Sequence, residues 1–252
     1  MSKLTFFAKI FTLAKIAGHI VLGMLILCFL FPWIKSNAKE QQIQNWALKL
    51  LTLLGIRLQL KNVDFFPKEP CLLVTNHISW VDIQAILAFK PMRFVAKSEV
   101  AGWPLFGWMA TQLGTLFIRR DSAHHGRKVA QDMLPILQQE SIGIFPEGTS
   151  TDGTIVLPFK TSLFEAAILS KAPVSMVVIR YFSETANRLQ PSSAAAFIGD
   201  MGLIESIIKI LQARPLVVEL EFLPVAPGGL DRKGLAEFTH KQIASKINQK
   251  LP

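Results

Sequence analysis

This 252-residue sequence predicts an α/β fold: a central mixed, largely parallel sheet flanked by helices, with N-terminal membrane-associated helices ahead of it. Three observations predict it. From residue 71 onward short apolar runs alternate with helical patterns, the arrangement of β/α units. No internal repeat, low-complexity tract or long linker interrupts them, so residues 61–252 read as one domain. Before that domain, Ile16 to Ile34 carries no Lys, Arg, Asp or Glu, which sets residues 1–60 apart as membrane-anchoring helices.

In chain order, the charge-free run comes first. As a helix it measures about 28 Å, close to a bilayer's hydrocarbon core. Lys3, Lys9 and Lys15 precede it and Lys35 and Lys39 follow, so flanking charge gives no clear orientation. Trp33 suits an interfacial anchor, and His19 is a blemish expected near one end. A cleaved signal peptide ending at Ser36-Asn37-Ala38 and a buried core helix are the rival readings. Gln41 to Leu60 follows with Ile43, Trp46, Ala47, Leu50, Leu51, Leu53 and Leu54 at helical spacing. Such a helix lies either in the membrane interface or on the domain core. Strands are expected at Cys71–Thr75, Arg93–Ala96, Thr115–Ile118, Ile142–Phe145, Val174–Tyr181, Ala194–Ile198 and Leu216–Leu223. Helices are expected at 82–89, 103–112, 123–139, 162–170, 200–212 and 231–250.

Composition narrows the function. Half of the residues are apolar and 18% charged, too greasy for a typical soluble enzyme and too polar for a multi-span transporter. The net charge of +9 suits nucleic acid or anionic lipid headgroups. No zinc-finger spacing or RNA-binding signature is present, so the apolar N-terminus selects membrane lipid and not nucleic acid as partner. Cys28 and Cys71 are the only cysteines, which argues against a disulfide framework. Asp121 and His124-His125 make no convincing metal site, because adjacent helical residues diverge by about 100°. No resident metal or cofactor is expected.

Three motifs carry chemistry. Asn76-His77-Ile78-Ser79-Trp80-Val81-Asp82 follows an apolar run and places an imidazole five residues before a carboxylate. On a continuous helix such residues point about 140° apart, so His77 must lie outside the helix. Ser79-x-x-Asp82 has the form of a helix-starting capping box, which puts His77 on a strand-to-helix turn, where α/β sheets bind ligands. Taken alone, the pattern equally fits a capping Asp and a loop His. Gly114-Thr115-Leu116-Phe117-Ile118-Arg119-Arg120 ends a strand in paired guanidinium groups, either phosphate ligands or solvated surface arginines. Phe145-Pro146-Glu147-Gly148-Thr149 holds a carboxylate on a turn, where it meets a substrate hydroxyl or a surface Lys. Cys71 begins an apolar strand and reads as a core residue.

In this order and spacing the motifs resemble those of the glycerolipid acyltransferases, the family that includes 1-acyl-glycerol-3-phosphate acyltransferase. The resemblance covers residues 70–225. It implies that His77 and Asp82 are catalytic, and that Arg120, Lys97 and Lys160 bind phosphate. It also implies that Glu147, Gly148 and Thr149 contact the acceptor, Glu147 through the glycerol part. The arginine expected after Glu-Gly-Thr is absent, since Ser150 stands there, and Ser162 replaces a glycine. The form Glu-Gly-Thr-Ser-x-Asp-Gly resembles the subgroup that acylates lyso-ornithine lipid. The implied reaction is acyl transfer from acyl-CoA or acyl carrier protein to a membrane lysophospholipid, giving phosphatidic acid, at the cytoplasmic side of the cell membrane. Main-chain N–H groups after His77 are expected as oxyanion donors. A lipid hydrolase and a non-catalytic membrane-binding protein are the more distant alternatives.

Overall fold

The computed structural model describes the backbone of residues 6–118, 123–185 and 188–249. Helix α1 (Phe6–Leu25) continues in helical turns to Trp33, and α2 (Ser36–Leu54) follows. Next come β1 (Ile56–Lys61), β2 (Leu72–Thr75), α3 (Val81–Phe89), β3 (Arg93–Lys97), α4 (Ser98–Ala101), α5 (Phe106–Gln112) and β4 (Leu116–Ile118). Then follow α6 (Ala123–Leu137), β5 (Ile142–Ile144), α7 (Glu165–Ser170), β6 (Val174–Thr185), β7 (Arg188–Pro191), α8 (Leu203–Ala213), β8 (Leu216–Leu223) and α9 (Arg232–Asn248). The sheet runs in the order β1-β8-β6-β2-β5-β3-β4, with β7 paired to β6 off that path. Parallel pairing joins β2 to β5 and β6, and β3 to β4 and β5, whereas β7 lies antiparallel to β6. The expected mixed, largely parallel sheet is what forms.

By packing, the chain divides into two units. One comprises Met1–Gln59, Ile78–Pro91 and Arg180–Leu220; the other comprises Leu60–His77, Met92–Ile179 and Glu221–Pro252. In the second unit, Leu72, Val74, Ile142, Ile144, Val174 and Met176 of the central strands pack with Met133 and Leu137 of α6, Phe164 and Ile243. Both faces of these strands are covered, which is why they read as continuous apolar runs rather than alternating ones.

In the first unit, α1 and α2 are joined by a reciprocal contact. Trp46 Nε1 donates to the His19 carbonyl at 3.1 Å, His19 Nε2 meets the Trp46 carbonyl at 2.9 Å, and the two rings stack with centroids 4.7 Å apart. His19 therefore sits mid-helix with a polar partner, not near an end as expected. Helix α2 buries Ala47, Leu50, Leu51 and Leu54, so its apolar stripe packs inward. It also caps α3, whose last carbonyls, Ala88 and Phe89, accept from Gln44 Nε2 at 3.0 Å each. Phe7–Trp33 is long and apolar enough to cross a membrane by length and composition. Phe7, Phe11, Phe29 and Trp33 along it are exposed, Trp33 by 85%.

Three elements differ from expectation. The helix expected over Gln41–Leu60 ends at Leu54, because Gly55 takes a left-handed cap (φ 73°) and returns its N–H to Leu51 and Thr52; residues 56–61 then form β1. The strand expected at Ala194–Ile198 is a loop. It buries Ala195 and Ala196, and the Phe197 N–H bonds to the Ile78 carbonyl at 2.9 Å instead of joining a strand ladder. Short β7 has no apolar run by which periodicity could mark it, since all its residues are exposed.

Candidate active site

Asn76 follows β2 directly and is wholly buried. Its side-chain amide offers the same donor and acceptor as a peptide group. Nδ2 donates to the Ile179 carbonyl at 3.0 Å and Oδ1 accepts the Ile179 N–H at 2.8 Å. The side chain thus continues the β2–β6 ladder while the main chain turns away. His77 is the next residue, half-buried, beyond the carboxyl end of a central strand.

Both peptide groups of His77 are held by the loop after β5. Its N–H donates to Glu147 Oε1 at 2.7 Å, and its carbonyl accepts the Thr151 N–H at 2.9 Å. Its ring stacks on Phe145 with centroids 4.1 Å apart and planes 28° from parallel. Phe145 in turn stacks on Phe94. That pile requires Gly143, because a Cβ there would come 2.6 Å from Phe94 Cε1. The imidazole is therefore set by a flat apolar wall behind it and a bonded main chain beneath it.

Glu147 is buried, 4% exposed. It sits on the turn the sequence predicted, closed by the Gly148 N–H to the Phe145 carbonyl at 3.0 Å, with Gly148 at φ 76°. Its second oxygen accepts the Leu157 N–H at 2.7 Å. These bonds display a brace joining the His77 turn to the 151–157 loop. The loop closes further through the Lys160 N–H, which bonds the Pro146 carbonyl at 2.9 Å.

In the other unit, Asp82 is wholly buried. Its Oδ2 accepts the N–H of Ile78 at 2.7 Å and of Ser79 at 2.9 Å. Ser79 Oγ accepts the Val81 N–H at 3.3 Å. Half of the predicted capping box forms: the carboxylate reaches back to the Ser79 N–H, but the Asp82 N–H goes to the Ser79 carbonyl rather than to its hydroxyl, and α3 begins at Val81 after Trp80, which makes Asp82 its second residue instead of its third. Asp82 Oδ1 accepts the hydroxyl of Tyr181 at 2.7 Å. Burial first, and then the Asp82 charge, push the Tyr181 phenol well above the ordinary tyrosine range, so it remains a donor at any working pH.

The remaining sequence-derived residues are placed as follows. Lys97 ends β3, half-buried, in register with Ile118 at the end of β4. Gly148 is buried, while Thr149 and Lys160 are exposed. Arg119 and Arg120 lie outside the described residues, as does Asp121. On the turn after His77, the N–H groups of Ile78 and Ser79 go to the Asp82 carboxylate, that of Val81 to Ser79 Oγ and that of Asp82 to the Ser79 carbonyl. Asn76 and Tyr181 are the residues that motif reasoning missed. Asn76 was open to inference, because an amide side chain at a strand end commonly replaces a ladder bond. Tyr181, ninety-nine residues from Asp82, had no local signal.

Residues 57–180 match the family model described as Acyltransferase. Over 237 residues the chain is 32% identical to the lyso-ornithine lipid O-acyltransferase of Pseudomonas aeruginosa, covering 91% of this chain and 90% of that protein. Over 186 residues it is 36% identical to the 1-acyl-sn-glycerol-3-phosphate acyltransferase of Neisseria gonorrhoeae, covering 72% and 71%. The crystal structure of the 1-acyl-sn-glycerophosphate acyltransferase PlsC from Thermotoga maritima has the same fold, at TM-score 0.65 and 18% identity over 97% of this chain and 99% of that one. With 32% identity over 91% of this chain and 90% of the Pseudomonas protein, and 36% identity over 72% and 71% with the Neisseria protein, the chain belongs to the acyltransferase family.

Proposed function

We propose that this chain is a membrane-associated O-acyltransferase that moves an acyl group from an acyl thioester, acyl-CoA or acyl carrier protein, to the free hydroxyl of a lysolipid. The observation that carries this reading is the fixing of His77. An imidazole with both flanking peptide groups bonded and one face stacked is preorganised to meet a hydroxyl at a single angle. His77 takes the hydroxyl proton as the oxygen attacks the thioester carbonyl carbon. The C–S bond then breaks, and the departing thiolate takes the proton back from the imidazolium. The lysolipid is itself the nucleophile, so no acyl-enzyme forms. Asp82 stabilises the imidazolium and holds the turn.

Two acceptors fit, and separate observations favour each. Ser150 in place of the motif's arginine removes a cation from the acceptor side, and the Pseudomonas likeness spans nearly the whole chain. These support lyso-ornithine lipid, which has no phosphate. Lys97, Lys160 and Arg120, together with the Neisseria likeness, support 1-acyl-sn-glycerol-3-phosphate, giving phosphatidic acid. We place lyso-ornithine lipid first, because a missing phosphate ligand weakens a phosphate site more than spare lysines strengthen it. Gly148 and Thr149 border the acceptor, and the Phe7–Trp33 helix brings the site to the cytoplasmic face of the bilayer. The test is purified protein in vesicles with one radiolabelled acyl thioester and each lysolipid in turn. Faster labelling of ornithine lipid supports lyso-ornithine lipid as the preferred acceptor. Faster labelling of phosphatidic acid reverses that preference, and Lys160→Ala then raises KM for that acceptor alone by about tenfold. Release of free fatty acid with no labelled lipid removes the transferase reading.

A further inference from the structure

Asp82 is wholly buried, and its two oxygens are served differently. Oδ2 takes the main-chain N–H groups of Ile78 and Ser79, which any capping carboxylate at this position would collect. Oδ1 takes a side-chain hydroxyl from β6, that of Tyr181, at 2.7 Å. A buried carboxylate loses its water, and each donor it gains offsets part of that loss. The phenol does more than compensate. A carboxylate held only by two N–H groups on one oxygen remains free to swing about its Cβ–Cγ bond. A third donor on the other oxygen fixes the plane in which the carboxylate lies. Tyr181 is itself only 3% exposed, with its main-chain carbonyl bonded to the Ser192 N–H at 2.9 Å, so its hydroxyl has little freedom to leave.

We infer that Tyr181 is a positioning residue for acyl transfer, acting through Asp82: its hydroxyl sets the plane and the charge distribution of that carboxylate. Tyr181 touches no reacting atom. The inference rests on the assignment of His77 and Asp82 as the acid–base pair.

The chain contains one tyrosine, which makes the test unusually direct. Biosynthetic replacement of tyrosine by mono- and difluorotyrosines alters this single hydroxyl's strength as a donor at nearly constant shape. We expect kcat to change stepwise with ring fluorination while KM for donor and acceptor stays within about twofold, and Tyr181→Phe to lower kcat about tenfold. In an Asp82→Ala background the Phe substitution has no further effect on kcat, because the group through which it acts is gone. A kcat flat across the fluorinated series overturns the inference. So does a Phe effect that multiplies with Asp82→Ala, which marks Tyr181 as a packing residue only. If Tyr181→Phe does not fold, the fluorinated series alone decides. His77→Ala is run beside these: full activity there removes the acid–base reading, whereas an inactive His77→Ala with a flat series removes only the role given to Tyr181.

Discussion

Asp82 and Glu147 are two buried carboxylates that each bind two main-chain N–H groups, yet they do different things. Asp82 collects its amides from within five residues of itself, on one oxygen, and leaves the other for a phenol. Glu147 collects its amides from His77 and Leu157, one on each oxygen, seventy and ten residues away. The first is a local helix cap adapted to carry a tertiary contact. The second is a brace between distant segments, and both of its oxygens are occupied by that task. A motif carboxylate is therefore not of one kind. Which donors reach it decides which segments it ties together.

The comparison breaks at its root if His77 is idle. His77→Ala should lower the rate of acyl transfer about 10³-fold with unchanged circular dichroism, the size expected for loss of a general base. Retained activity would leave both carboxylates as structural devices only.

The brace is tested by Glu147→Gln, which turns an amide NH2 toward an N–H donor. We expect stability to fall by about 3 kcal/mol and Tm by about 10 °C, followed by thermal unfolding. If Glu147 served the substrate alone, Tm would hold and only KM would rise.

The Asp82 side is sharpened by alkali. Tyr181 is held protonated in the fold above its ordinary value of 10.0. Its contribution is fully present below that pH and is lost above it, because the unfolded chain ionises first. Stability should therefore fall by about 1.4 kcal/mol for each pH unit above about 10 owing to this group, and Tyr181→Phe should remove that part of the slope. Tyrosinate absorbance from the single tyrosine should appear only together with unfolding. Its appearance in folded protein at the ordinary pH would contradict the buried contact.

The smallest effect concerns the ring wall. Phe145→Ala removes the stack beneath His77 and should cost about 1 kcal/mol in positioning, read as a kcat lower by about fivefold with KM unchanged.

Much of the molecule was legible in the chain. The parallel strands appear as short apolar runs because they are covered on both faces, and the spacing of His77 from Asp82 predicted that His77 lies outside α3, though the helix begins one residue later than the capping box implied. The Phe-Pro-Glu-Gly turn was equally plain, since Gly148 adopts a left-handed conformation that other residues resist. What escaped was contact between segments far apart in the sequence. Periodicity measures which face of an element is buried and is blind to what that face meets. So Ala194–Ile198, apolar enough for a strand, became a packed loop, and the bond from the Leu157 N–H to the Glu147 carboxylate had no mark in the motif.

The sequence by itself determined most of the element order, the placing of His77 and Asp82 about one strand-to-helix turn, and an N-terminus suited to a bilayer, because these depend on local pattern and local sterics. Only the tertiary structure decided which donors satisfy each buried acid. Burial removes water from a carboxylate, and the groups that replace that water come from wherever the fold brings them, from β6 for Asp82 and from the 151–157 loop for Glu147.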